Sequence, residues 1–128
     1  MDKKEVAKKN FELWNNALLS GNPKKVAELY AEDASFLPTM SGKFEKDQAG
    51  AEKYFQHFLE KHPSGEIIQD EVQIIDPKNY LHSGFYNFKV DDGQGGRETV
   101  QARFSFVWRQ NEQGEWKIIH HHSSVKPK

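Results

Sequence analysis

Cysteine is absent from the 128 residues, which excludes a disulfide framework, a thiolate metal site and a cysteine nucleophile. A reducing compartment suits such a chain. Long apolar runs are missing too: no stretch approaches the roughly 18 residues of a membrane-spanning helix. The opening MDKKEVAKKNFELW carries charges where a secretory leader has an apolar segment. Nor is there an excess of one charge, since 18 Lys and Arg against 19 Asp and Glu leave a net -1. The basic footprint of a nucleic-acid binder is therefore lacking. These absences predict a soluble, cytoplasmic protein with neither a nucleic-acid nor a membrane partner.

What is present is aromatic. A mean hydropathy of -0.87 would suit disorder, but 9 Phe, 4 Tyr and 3 Trp supply apolar groups large enough to offset the entropy of ordering. A chain of this length encloses one core, so residues 1–128 predict a single domain.

Over residues 3–20, Ala7, Phe11, Trp14 and Leu18 recur at helical spacing and Gly21 offers a stop. Asn22 and Pro23 then form an N-cap and first-turn pair, predicting a short second helix with Val26, Leu29 and Tyr30 inward. The stretch ASFLPTM, broken by Pro38, reads as a brief irregular strand or hairpin. Asp47 caps a third helix whose apolar stripe is Ala51, Tyr54, Phe55, Phe58 and Leu59, and Pro63 ends it. Beyond it, EIIQDEVQIIDP, YLHSGFYNFKV, ETVQARFSFVWRQ and EWKIIHHHSS alternate with turn-forming segments. Their connections are too short for crossovers, which predicts an antiparallel meander of four strands. Helices segregated from such a sheet define an α+β fold.

The ending HHHSS belongs to the last strand. A four-residue NEQG loop places Gln110 opposite Glu115, Arg103 opposite His122 and Ser105 opposite His120. Alternation then puts Arg103, Ser105, His120 and His122 on one sheet face, with Ala102, Phe104, Phe106, Ile119 and His121 on the other. His120 and His122 alone fall short of a three-ligand zinc site, so no metal and no other cofactor is expected. An expression tag would be longer and would not continue a strand pattern.

The element order, the W…ALLSGNPKKVAELYAEDASFLPT opening, YFQHFL, VQARFSFVWR and GEWKIIHHHSS resemble the association-domain family of calcium/calmodulin-dependent protein kinase II. That family lies within the nuclear transport factor 2-like (ketosteroid isomerase-like, SnoaL-like) superfamily, and the likeness is greatest to its stand-alone bacterial members. The resemblance implies a cone: three N-terminal helices packed on a curved antiparallel sheet around a pocket, with pairing through the sheet into homodimers or larger assemblies. The kinase hubs carry an arginine where this chain has Ser123, a histidine and a tryptophan at Ala51 and Leu59, and a pocket arginine at Phe106.

Placed in that cone, Arg103, Ser105, His120 and His122, with Tyr54 from the third helix, are the expected ligand-binding residues for a small organic anion. Trp14, Tyr30 and His57 are further pocket candidates. Phe104, Phe106, Trp108 and His121 are the expected interface row, because bulky groups on both faces of a sheet require cover. Three functions fit: a homo-oligomeric hub-like domain binding a small carboxylate, a cofactor-independent isomerase, dehydratase or cyclase using His120 or His122 as acid/base, or a pure assembly module. No pair of carboxylates suits ketosteroid-isomerase chemistry, and no catalytic residue is assigned.

Overall fold

The protein is described here by a computed structural model that covers residues 2–128. Helix α1 (Lys3–Leu19) starts where the Asp2 carboxylate accepts the Glu5 N–H, and its buried face is Ala7, Asn10, Phe11, Trp14 and Leu18. Gly21, at φ 73°, ends it in the left-handed conformation that glycine adopts without steric cost. Asn22 caps α2 (Pro23–Ala27) by accepting the Lys24 N–H. That helix is shorter than the sequence predicts: the Leu29 carbonyl accepts the Ile118 N–H, so the chain is already tied to the last strand. Tyr30 accordingly opens strand β1 (Tyr30–Leu37) instead of closing a helix. Helix α3 (Gln48–Phe58) is capped by Asp47, and one 3₁₀ turn (Leu59–Lys61) carries the chain toward Pro63. Among the described residues, no helix is long and apolar enough to cross a membrane.

Strands β2 (Ser64–Asp76), β3 (Asn79–Asp91), β4 (Arg97–Gln110) and β5 (Trp116–Val125) form the expected antiparallel meander. The sheet has a fifth member, however, and its order is β1-β5-β4-β3-β2. The segment read as a brief irregular hairpin is an eight-residue strand lying parallel to β5, with Ser35, Phe36 and Leu37 opposite His120, His121 and His122. A parallel neighbour needs a long crossover, and everything from α3 to β4 supplies it.

The β4–β5 register also departs from expectation. Asn111 accepts the backbone N–H groups of Gln113 and Glu115 on its side-chain oxygen, which draws Glu115 into the turn and sets Gln110 opposite Trp116. A second irregularity follows between Val107 and Trp108, so Val107 faces His120, Phe106 faces His121, Ser105 faces His122 and Arg103 faces Ser124. The total displacement is two residues. Because side chains alternate with period two, the grouping of Arg103, Ser105, His120 and His122 on one face survives.

Which face turns inward is the reverse of the expectation. Phe104, Phe106, Trp108 and His121 are buried and pack under α1: ring centroids lie 6.4 Å apart for Phe11 and Phe104, 5.4 Å for Trp14 and Phe106, and 5.6 Å for Trp14 and His121. Those four are core residues, not an outer interface row. Arg103, Ser105, His120 and His122 occupy the outer face, away from the helices. The physical reason is area: the phenylalanine and tryptophan row buries the most apolar surface, and the helices are what can cover it.

Candidate functional site

Inside the cone, six polar side chains centred on His121 are joined in one chain, separate from the buried Asn10–Tyr80 pair. Trp14 Nε1–H donates to the Tyr30 hydroxyl over 3.2 Å, and that hydroxyl lies 2.8 Å from His121 Nδ1. On the other side, His121 Nε2 lies 3.2 Å from the Tyr86 hydroxyl, which is 2.5 Å from Ser123 Oγ. Ser123 in turn meets Thr39 Oγ1. Indole nitrogen only donates, so the Tyr30 hydroxyl accepts from Trp14. Every partner in the chain is used when Tyr30 donates to Nδ1, Nε2–H donates to Tyr86 and Tyr86 donates to Ser123, an arrangement in which His121 is a neutral imidazole.

Burial enforces that state. His121 is 1% exposed, and loss of solvation, reinforced by the proximity of His120 and His122, holds its pKa well below the ordinary histidine value. Burial likewise raises the Tyr30, Tyr54 and Tyr86 phenols, so no ionised group is expected in the interior near neutral pH. Phe106 stacks on His121 with centroids 4.0 Å apart, and Phe36 covers its other side at 4.8 Å. The Tyr54 hydroxyl donates to the Thr39 carbonyl over 2.9 Å and closes the end of the cluster. The remaining space beside Tyr54, Tyr86 and His121 is about 10 Å³, at the lower limit for one water molecule.

The outer face is different in kind. Across it run Leu81 opposite Val107 and Val107 opposite His120; Ser83 opposite Ser105 and Ser105 opposite His122; Phe85 opposite Arg103 and Arg103 opposite Ser124. Ser35 on β1 lies 2.7 Å from His120 Nδ1. Arg103, Ser105, His122 and Ser124 line a shallow depression of about 200 Å³, and Arg103 also borders a second one with Phe85, Ser83 and Glu71. Burial and the neighbouring His122 lower the His120 pKa.

Four of the five expected ligand-binding residues, Arg103, Ser105, His120 and His122, thus stay together but outside the cone. Tyr54 alone is inside it, and the exposed His57 is in neither group. The residues that share the interior with Tyr54 are Trp14 and Tyr30, both named from the sequence as candidates, with His121, Tyr86, Ser123 and Thr39. Counting by two from His121 reaches Ser123, so that residue was within reach of strand periodicity once the inward face was known. Among the described residues, no three His, Asp or Glu side chains converge as a metal ion would require.

A second buried histidine, His82 on β3, donates from Nε2–H to the Asp70 carboxylate over 2.8 Å. Burial lowers its pKa although Asp70 opposes the shift.

The chain was compared with known families, curated proteins and solved structures. No curated protein matches it significantly. Among solved structures, it is similar to a protein assigned as a calcium/calmodulin dependent protein kinase II association domain from Xanthomonas campestris, at 41% identity and TM-score 0.95, covering 100% of this chain and 90% of that one. A nuclear transport factor 2-like superfamily protein from Salmonella enterica serovar Typhimurium shares the fold at 16% identity and TM-score 0.81, with 98% and 92% covered. A ketosteroid isomerase-like protein from Erwinia carotovora does so at 12% identity and TM-score 0.76, with 94% of each chain covered. The family profile described as calcium/calmodulin dependent protein kinase II association domain matches residues 2–127, and the chain belongs to that family.

Proposed function

We propose that this protein is a self-associating domain whose outer sheet face pairs with a second copy. The observation that carries the reading is the division of labour between the two faces. The inner face is consumed by the core, and the polar groups around His121 satisfy one another, leaving about 10 Å³ beside it. The outer face presents Leu81 and Val107 directly opposite each other, with His120 beside Val107 and Phe85 beyond the Ser83–Ser105 row, and among the described residues no helix lies over them. A sheet with apolar groups on both sides calls for cover on both. Membership of an association-domain family supports the same conclusion.

The interior offers little to a ligand. Phe106 and Ser123 put a ring and a hydroxyl beside His121, so no cation faces inward to hold a carboxylate. A small anion meets its best partners in Arg103, Ser105 and His122, whose depression lies on the pairing face. In this reading anion binding accompanies assembly, and the domain is a scaffold and not an enzyme.

Sedimentation velocity tests it. The wild-type chain is expected to run at twice the 14.8 kDa chain mass or more at micromolar concentration. Leu81→Asp combined with Val107→Asp is expected to give folded monomers, the fold being checked by circular dichroism. A wild-type monomer under those conditions would defeat the proposal.

A further inference from the structure

Where the β4–β5 hairpin turns, the sheet carries positive charge that the fold does not pair. Arg109 on β4 stands directly opposite Lys117 on β5, and Asn79 of β3 flanks Arg109 on its other side. Lys78, the residue before Asn79, is held close by, because its carbonyl accepts the Gln110 N–H over 2.8 Å. Like charges directly opposed across a strand pair are destabilising. Among the described residues, none of these three cations lies within ion-pair distance of a carboxylate. Asp76, the acid nearest Lys78 in sequence, accepts the Lys78 N–H and the Asn79 amide instead.

Arg109, Lys117 and Lys78 line a groove of about 650 Å³, a size within the range of small-molecule sites. Lys117 is fixed in its wall, since its ammonium donates to the Glu28 carbonyl over 2.7 Å and keeps about two of its three donors free. Two acids share the lining, Glu32 at the start of β1 and Glu112 in the β4–β5 turn. Both are exposed, and among the described residues neither is in an ion pair. The amide side chains of the groove are committed within the fold: Gln48 donates to the Tyr30 carbonyl, Gln110 to the Gly114 carbonyl, and Asn111 bonds within its own turn. Ala31 and Ile119 supply apolar surface. What remains free is a set of cationic donors and a pair of carboxylate acceptors.

We propose that this groove binds a small phosphate monoester with a hydroxylated body, a sugar phosphate or a nucleotide. The phosphate sits among Arg109, Lys117 and Lys78, and its terminal oxygens give each cation a partner, with the planar Arg109 fork able to take two oxygens at once. A carboxylate has one oxygen fewer to share among the same donors. Glu32 and Glu112 accept from the hydroxyls of the body, because an ionised carboxylate only accepts. Their charge also disfavours an anion that brings no hydroxyl to them, which is the source of selection. Bound phosphate screens Arg109 from Lys117, so the ligand stabilises the strand pair that these residues burden. The Arg103 depression differs, since it offers one guanidinium beside His122. Every wall residue of the groove belongs to one chain, so the site does not depend on pairing through the Leu81 and Val107 surface.

Isothermal titration calorimetry on the full chain tests the proposal, with ribose 5-phosphate, adenosine 5′-monophosphate, inorganic phosphate and ribose as probes. Saturable binding is expected for at least one of the two esters, tighter than for inorganic phosphate, and none for ribose. Tighter binding of adenosine 5′-monophosphate would name a nucleotide as the source of the ester, and tighter binding of ribose 5-phosphate a free sugar phosphate. Arg109→Gln with Lys78→Gln should weaken the ester about tenfold or more, a loss near 1.4 kcal/mol. Both positions are exposed, and without ligand this double variant should melt no lower than wild type, which shows that it is folded and that the opposed cations do not stabilise the fold by themselves. Glu32→Gln with Glu112→Gln should instead narrow the preference for the ester over inorganic phosphate. Equal affinity of wild type for the esters and inorganic phosphate would reduce the groove to a patch of positive charge and overturn the proposal. It fails equally if neither ester binds saturably, or if the Arg109 and Lys78 substitutions leave ester binding unchanged.

Discussion

His121 holds two tyrosine hydroxyls at once, and its removal leaves both without their partner in a region of no solvent. Each unpaired buried hydroxyl costs about 1–3 kcal/mol, and the void adds to this. His121→Ala is therefore expected to destabilise the fold by about 4 kcal/mol in urea unfolding. The same residue dictates a pH dependence. Burial holds His121 and His82 below the ordinary histidine pKa in the folded chain, whereas the unfolded chain takes up those protons near about pH 6.5. Stability is then full above about pH 6.5 and falls as the pH drops below it, by up to about 1.4 kcal/mol per pH unit for each histidine. Unfolding free energies at neutral and mildly acidic pH should show that loss, and His121→Gln, which keeps a donor and an acceptor without the titration, should show a shallower one. An unchanged slope in His121→Gln would remove His121 as the source. At this scale the sequence was partly legible. Trp14, Tyr30 and Tyr54 could be named from helical spacing and amphipathic chemistry, but Tyr86 and Thr39 join His121 only through tertiary contacts that no local pattern encodes.

Helices were the most legible elements because their ends carry local chemistry: Asp2, Asn22 and Asp47 each accept a backbone N–H within three residues. Strand existence was legible through aromatic and β-branched alternation. Register was not, because it turned on one Asn111 side chain drawing Glu115 into a turn and on a single extra residue in β5. Neither event changes the composition of a window, yet each moves every cross-strand pair. The β2–β3 ladder shows the same sensitivity at Gly84. A Cβ there would lie 2.0 Å from the Gln69 carbonyl oxygen, so the two strands approach more closely than any side chain permits. Gly84→Ala must push β2 outward and is expected to cost about 2–4 kcal/mol. Denaturant unfolding would measure it, and hydrogen exchange should rise first in residues 69–74. A stability within about 0.5 kcal/mol of wild type would show that the ladder relaxes without cost.

For the molecule as a whole, the sequence defined two faces of one sheet but not which of them the helices would cover. That choice belongs to the summed apolar area of Phe104, Phe106 and Trp108 against the stripe of α1, a sum taken over elements far apart in the chain. Its outcome left Arg103, His120 and His122 outward, with Lys126 nearby, its ammonium 5.0 Å from the Phe85 ring. If a second copy covers this surface, His120 and His122 lose further solvent beside two permanent cations, with Glu71 and the His82-paired Asp70 the acids bordering the Arg103 depression. Burial already depresses the His120 pKa, and pairing depresses it more, so the paired state binds fewer protons than the separated chains. Linkage then requires association to weaken as the pH falls through the His120 pKa of the separated folded chain, which itself lies below the ordinary histidine value. Sedimentation at neutral pH and near pH 5.5 should show dissociation on acidification at fixed protein concentration. His120→Gln with His122→Gln should remain associated at both. An acid-induced monomer in that double variant would place the titrating group elsewhere, and persistence of the wild-type dimer at low pH would place the histidines outside the interface.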